Sequence, residues 1–334
     1  MKRKSSPEAE EDRPATVPAL AAPAVAAAPE EEEVKEKGEE KGEEKEEDEE
    51  EEGEGEEEDK EHADQRACIL QAVTEHTDVW KKAIAAAAMV VDDGDLEFTE
   101  NGMMVRTFFS TQAAYFQLQL RPAMFQLFIL QEPALFLGQS FKKMDKVLHR
   151  LDSSDSLSIK YMGSDRVAYE KKSSQIQNST RTRHLKVLSS SQRSVATFET
   201  HDHCIKLKSK ALYGCIQDLV SGGAKLIRAK LSSRRTQLMV EDDDGEDEIN
   251  WPHPRPSAQV LGEEEGGERV QLVKGTPTEY HQLYKLEPFL TAAKAFRVAE
   301  WVHLYFCRDA AVKIEYLLPN ELGVLMYIIA PRSE

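Results

Sequence analysis

With 334 residues, 40% of them hydrophobic and 31% charged, the chain is long enough for two ordinary domains and has the composition of a folding protein, at a formal net charge of −18. No apolar run approaches the roughly 20 residues a membrane span needs. The opening Met1-Lys2-Arg3-Lys4 runs into acidic and Ala/Pro-rich sequence, so neither a span nor a signal peptide is expected.

The charge is unevenly placed. Residues 1–66 hold 27 acidic against 10 basic side chains, and residues 241–269 hold 11 against two. What remains is net basic by about eight charges, so the total masks a basic body. Residues 1–66 combine Pro/Ala repeats with a Glu/Lys/Gly run and almost no aromatics, which predicts a disordered acidic tail. Lys2-Arg3-Lys4 is a candidate nuclear address. Cys68, Cys204, Cys215 and Cys307 show no CxxC and no zinc-ligand spacing, so reduced, mostly buried thiols are expected, with no metal and no cofactor.

Regular patterning begins near Ala67. Trp80, Ile84, Ala87 and Val91 predict a helix over 77–90, with Thr77 or Asp78 as N-cap and Lys81 and Lys82 off the apolar face. Asp92-Asp93-Gly94-Asp95 ends it. Short strands follow at 96–99, 103–109 and 115–120, with 125–130 as a further candidate, and Asn101-Gly102 marks a hairpin. A second helix is expected over 140–151, burying Phe141, Met144, Val147, Leu148 and Leu151. Lys142, Lys146, His149 and Arg150 make a basic stripe on its other side. Strands at 156–161, 166–171 and 181–188 precede a polar connector, 189–202.

A strand at 204–208 leads into a third helix, 209–220, whose inner positions are Leu212, Cys215, Ile216 and Leu219. Ser221-Gly222-Gly223 ends that helix and lacks phosphate-loop spacing. A fourth helix, 285–297, buries Leu286, Phe289, Leu290 and Ala293, with Lys294 on its far side. Strands at 301–307, 312–317 and 323–329 close the chain. One helix with several short strands thus recurs four times at near-regular intervals, an internal repeat in layout. GxxxxGK[ST], GxGxxG after a strand, GxSxG and HExxH are all missing, so no enzymatic reading is supported. His201-Asp202-His203 offers no evident third metal ligand.

Two blocks carry a family resemblance. Asn101-Gly102-Met103-Met104-Val105, Phe116-Gln117-Leu118-Gln119-Leu120 and Phe141-Lys142-Lys143-Met144-Asp145-Lys146-Val147-Leu148 form the first. Ala311-Val312-Lys313-Ile314-Glu315-Tyr316 with Ile329-Ala330-Pro331 form the second. In order and separation they resemble the DNA sliding clamps typified by proliferating cell nuclear antigen (PCNA), over most of residues 68–334 and not over 1–66 or 234–270. The resemblance implies an α+β, two-domain sliding-clamp fold, each domain two β-α-β-β-β units, with helices lining a central hole. Domain boundaries would fall at 67–188 and 203–334, the second carrying an acidic insertion loop, 241–269.

It also implies a non-enzymatic processivity factor, a homotrimeric ring around double-stranded DNA. DNA polymerase, other proteins with PIP-box-like peptides and a clamp loader would be its partners, in the nucleus or at a viral replication site. Carried over by position, DNA would be faced by Lys81, Lys82, Lys142, Lys146, His149, Arg150, Lys210 and Lys294. Phe108, Gln112, Ala113, Ala311, Ile328, Ala330 and Pro331, with Val195 and Ala196 of the connector, would form the peptide pocket. Arg181, Arg183 and Lys186 would meet Leu238 and Val240 of a neighbouring subunit, next to the acidic run Glu241-Asp242-Asp243-Asp244. Three other readings stay open: an open-face monomeric or dimeric processivity factor, one subunit of a heterotrimeric checkpoint clamp, and an acidic histone-chaperone-like scaffold. The acidic additions would suit a large DNA virus or a divergent eukaryote.

Overall fold

The computed structural model describes residues 68–109, 113–175, 179–190, 201–221, 223–232, 234–241, 245–252, 271–274, 279–307 and 310–332. The predicted tail, most of the connector and most of the acidic loop therefore lie outside the described residues. Among the described residues, four units of one pattern follow each other. The first is β1 (Leu70–Thr74), α1 (Thr77–Ala88), β2 (Asp93–Thr99), β3 (Gly102–Phe108) and β4 (Ala114–Leu120). After an extra strand β5 (Leu127–Leu130) comes β6 (Ala134–Ser140), α2 (Phe141–Leu148), β7 (Ser156–Tyr161), β8 (Arg166–Lys172) and β9 (Thr180–Lys186).

The second half repeats the plan. Its third unit is β10 (His203–Lys208), α3 (Ser209–Ser221), β11 (Leu226–Leu231), β12 (Arg235–Glu241) and β13 (Glu246–Pro252). After an extra strand β14 (Gln271–Lys274), the fourth is β15 (Tyr280–Lys285), α4 (Leu286–Lys294), β16 (Trp301–Phe306), β17 (Val312–Leu317) and β18 (Gly323–Ile329). These are the four expected β-α-β-β-β units.

Each unit gives its first strand to one sheet and its last three to another. The result is a five-stranded sheet β5-β1-β7-β8-β9, a nine-stranded sheet β14-β10-β16-β17-β18-β4-β3-β2-β6 and a four-stranded sheet β13-β12-β11-β15. The nine-stranded sheet joins the halves at the antiparallel β18–β4 seam, in register from Gly323↔Leu120 to Ile329↔Ala114. A Cβ at Gly323 would lie 2.1 Å from the Gln119 carbonyl oxygen, so the seam closes only over a glycine. Phe116 and Tyr327, 5.3 Å apart and edge to face, fill the core across it.

The helices follow from their apolar spacing. Trp80, Ala83, Ile84 and Ala87 are buried in α1, Phe141, Met144 and Leu148 in α2, Leu212, Ile216 and Leu219 in α3, and Leu286, Phe289, Ala292 and Ala293 in α4. All four pack on the central sheet and touch in a row: α2 on α1, α1 on the 3-10 turn Ala295–Arg297 that follows α4, and α4 on α3. Two buried polar pairs hold the outer sheets to the central one at equivalent places in units two and three. Tyr169 Oη on β8 donates to Gln139 Oε1 on β6 (3.4 Å), and His203 Nε2 on β10 meets Thr236 Oγ1 on β12 (2.9 Å).

Several local expectations are corrected. Neither Thr77 nor Asp78 caps α1: the N-cap position is His76, the Thr77 hydroxyl donates to the Asp152 carbonyl (3.0 Å), and Asp78 pairs with Lys82. The expected β2–β3 hairpin does form, turning at Glu100 and Asn101, while Gly102, at φ +102°, opens β3 under the Leu120 carbonyl. α4 gives way to the 3-10 turn after Lys294, three residues before the expected end. Strands β1, β6, β11, β13, β14 and β15 were not expected as such. Among the cysteines only Cys204 is buried, and the other three are half-buried.

Candidate nucleic-acid interface and strand edges

The expected DNA-facing side chains share the helix layer but are not equally available. Lys81 Nζ donates to the Leu151 carbonyl at 2.9 Å, joining α1 to the end of α2. Lys82 pairs with Asp78 at 2.6 Å, and Lys142 with Asp92 at 2.7 Å. Lys146, His149, Arg150, Lys210 and Lys294 are exposed, and among the described residues none of them has an acidic partner. The basic stripe of α2 is thus split: Lys142 is tied back toward β2, whereas Lys146 and Arg150 turn to a groove beside β9.

That groove, about 490 Å³, lies between α2 and β9. Its floor is apolar, from Val147, Leu157, Tyr169 and Leu185, and its rim carries Lys143, Lys146, Arg150, Lys171, Arg181 and Arg183. β9 is the outer edge of the five-stranded sheet, and every residue of it except Leu185 is exposed. Bare edges attract other strands, and this one is cationic.

The expected partner strand is relocated. Leu238 and Val240 lie in β12, which is hydrogen-bonded on both sides, to β11 and to β13, and both side chains are buried. The edge is β13, beginning Glu246-Asp247-Glu248. A reading that took 241–269 as one acidic loop hid this strand, because charged residues are poor strand formers by propensity. The signal that finds it is the repeat: every other unit has three strands after its helix. Lys143, on the groove rim, was also missed.

The expected peptide-pocket residues that fall among the described ones converge. Ile328 on β18 is in register with Tyr115 on β4, which packs edge to face on Phe108 at 5.2 Å. The Ala330 N–H donates to the Ala113 carbonyl (2.9 Å), Val312 beside Ala311 pairs with Ile329, and Pro331 bridges to Tyr284. Residues from both halves therefore meet at one end of the seam. Gln112, Val195 and Ala196 lie outside the described residues. Burial raises the Tyr115 phenol above its ordinary value, and the net effect survives the lowering by Arg106. His203, one of the possible metal ligands, is instead buried against Thr236.

No protein-family model and no curated protein matches the sequence. Among solved structures, the chain is similar to the Proliferating Cellular Nuclear Antigen of Entamoeba histolytica, at a TM-score of 0.69 and 18% identity, over 80% of this chain and all of that one. It is likewise similar to a chain of the PCNA2–PCNA3 complex of Sulfolobus tokodaii, at a TM-score of 0.65 and 18% identity, over 79% of this chain and all of that one. The fold of this chain is the sliding-clamp fold of those proteins.

Proposed function

We propose that the chain is a subunit of a non-enzymatic DNA sliding clamp, a ring that encircles duplex DNA and tethers a polymerase and other replication or repair proteins. The observation that carries this is a repetition among the sheets. Inside the chain, the last strand of unit four (β18) pairs with the last strand of unit one (β4) and so joins five strands to four. The two outer sheets also have five strands and four, and their edges β9 and β13 are the last strands of units two and three. Pairing β9 of one copy with β13 of the next repeats the internal seam between chains. Such a head-to-tail contact is heterologous, and it is satisfied everywhere when copies close into a ring.

The charges favour this pairing over its alternatives. Arg181, Arg183 and Lys186 on one edge face Glu246, Asp247 and Glu248 on the other, while like edges repel. The helix layer of each subunit then lines the hole. Lys146, Arg150, Lys210 and Lys294 attract phosphates there without reading bases, which is what sliding requires. Lys81, Lys82 and Lys142 add to the same field from partly committed positions, and His149 stands exposed on the same layer. We read 67–188 and 203–334 as the two clamp domains, with 189–202 as the connector between them. The apolar cluster of Phe108, Ala113, Ala311, Ile328, Ala330 and Pro331 is then the seat of PIP-box-like peptides, a role the resemblance also implies for Gln112, Val195 and Ala196. A polymerase and a clamp loader are the partners, and the site of action is the nucleus or a viral replication site.

Light scattering on size-exclusion-purified protein, over a concentration series near physiological salt, tests the ring. Three chain masses, the number the resemblance implies, are expected. One or two chain masses at every concentration would overturn the homotrimer and favour an open-face factor or a checkpoint-type subunit.

A further inference from the structure

The central sheet has a second face, away from the helices, and on the second half of the chain that face is aromatic and basic. In β16, Val302, Leu304 and Phe306 are fully buried toward the helix layer, so Trp301, His303 and Tyr305 alternate onto the opposite face, all half-buried. In the neighbouring strand β10, Lys206 is in register with His303 and Lys208 with Trp301. Both lysines lie over the Trp301 ring, their Nζ atoms 4.9 and 4.1 Å from its centroid. On the other flank Lys313 of β17 sits 3.8 Å above the Tyr305 ring, and His303 and Tyr305 are nearly parallel, 6.0 Å apart. Lys274 at the end of β14 adds a fourth ammonium group beside Cys204.

Glu300 pairs with Lys208, and Glu315 with Lys313. Lys206 and Lys274 stand against the Asp202 carboxylate, whose charge also reaches His201, so the patch is net basic in a chain whose net charge is −18. Burial, helped by the neighbouring lysines, lowers the His303 pKa, so at neutral pH that ring is an uncharged aromatic surface. The three rings repeat every second residue, about 6.8 Å. That is about twice the ~3.4 Å rise of one strand in a duplex, a spacing reached by an extended single strand.

We infer that this face, centred on Trp301, Lys206 and Lys208, binds single-stranded nucleic acid, with bases against the rings and phosphates on the lysines. Rows of aromatic side chains flanked by basic groups hold single strands without reading sequence, because every base has a π face. Duplex DNA is a poor fit, since its bases are stacked inside. The patch is on the other side of the sheet from the helix layer, so it is separate from the proposed duplex site and does not depend on it.

The test uses the full chain, a fluorescein-labelled oligothymidylate of about 20 nucleotides and a duplex of equal length, followed by anisotropy at several salt concentrations. The double variant Lys206→Gln/Lys208→Gln should weaken single-strand binding at least tenfold, flatten its salt slope by more than about 0.7 but less than about 1.4, since Glu300 already offsets Lys208, and leave duplex binding unchanged. Trp301→Leu should cost about tenfold with the slope intact, because it removes stacking and no charge. Lys210→Gln/Lys294→Gln should do the reverse, weakening the duplex alone. Circular dichroism confirms that each variant is folded. The inference is overturned if the oligothymidylate does not bind at low salt, or if it is lost equally in the helix-layer variant and kept in the sheet-face one. Absence of duplex binding by the parent chain, with its single-strand binding intact, would count against the ring alone.

Discussion

Lys171 Nζ lies 2.7 Å from the carboxylate of Asp155, a side chain with 0% solvent exposure, beneath the rim of the α2–β9 groove. Asp155 Oδ2 also accepts the Asp152 N–H at 2.6 Å, and Lys171 donates to the Arg150 carbonyl at 3.1 Å. The segment leaving α2 is thereby fastened to β8. Burial alone would raise the Asp155 pKa, but the hydrogen bonds from Lys171 and the backbone outweigh it and hold the carboxyl below its ordinary value. A lowered folded-state pKa contributes stability above the unfolded value, and that contribution is lost as pH falls through the folded one, here below about pH 4. Asp155→Asn should therefore cost about 1–2 kcal/mol at pH 7, with the gap from the parent closing as pH falls to 3. Lys171→Met, which leaves the carboxylate buried and unpaired, should cost more, about 3 kcal/mol. Urea unfolding across that pH range measures both.

Gly323 supports the seam between the halves by having no side chain. A Cβ there would meet Gln119 O at 2.1 Å and Leu318 Cδ1 at 2.9 Å. Gly323→Ala should push β18 off β4 and cost on the order of 2–3 kcal/mol. Gly214, in α3 with nothing within 4 Å of its Cβ position, is the control. Gly214→Ala should stabilise by up to about 1 kcal/mol through helix propensity. Opposite shifts in thermal midpoint are the expected pattern, and a harmless Gly323→Ala would remove the seam argument.

How much of this was legible beforehand depends on what each residue had to satisfy. The helices showed because Trp80, Ile84, Phe141, Met144, Leu212, Ile216 and Phe289 must face one way. The strands of the seam showed because alternation has to match two buried neighbours. β13 did not show, because Glu246, Asp247 and Glu248 face solvent and leave no apolar alternation to read. Its place is dictated by the pairing with β12, a long-range fact that no local window contains. The basic stripe of α2 was read correctly as a surface feature. That Asp92 would engage Lys142 and leave Lys146 available depends on a loop from another unit.

The same distinction between engaged and available lysines gives a measurable ranking. Releasing counterions from a duplex changes the salt slope of binding by about 0.9 per neutralised phosphate. Lys210→Gln and Lys294→Gln should each lower the slope by close to that amount, uniformly across DNA sequences. Lys82→Gln and Lys142→Gln should lower it by less, because each removal also frees Asp78 or Asp92 from a partner that had already offset it. Equal effects at all four positions would mean that the ion pairs open on DNA. Zero effect at Lys210 and Lys294 would remove the helix layer from the interface.

The pairing of β9 with β13 can be examined by exchanging their charges. Arg181→Glu/Arg183→Glu places like charges on both edges, and the concentration needed for assembly should rise at least tenfold, most at low salt. Glu246→Lys/Glu248→Lys should do the same alone. Combined in one chain, the four changes restore opposite signs across the contact, and assembly should recover most of the loss. A double-mutant cycle by sedimentation velocity separates this coupling from general damage, because two unrelated injuries add and a mended contact does not. The intrachain β18–β4 seam is untouched in all three variants, so their melting temperatures at dilution below assembly should match the parent. Recovery in the combined variant would identify the two edges as partners. Additive losses would send the search to the other sheet edges, β5, β6, β14 and β15.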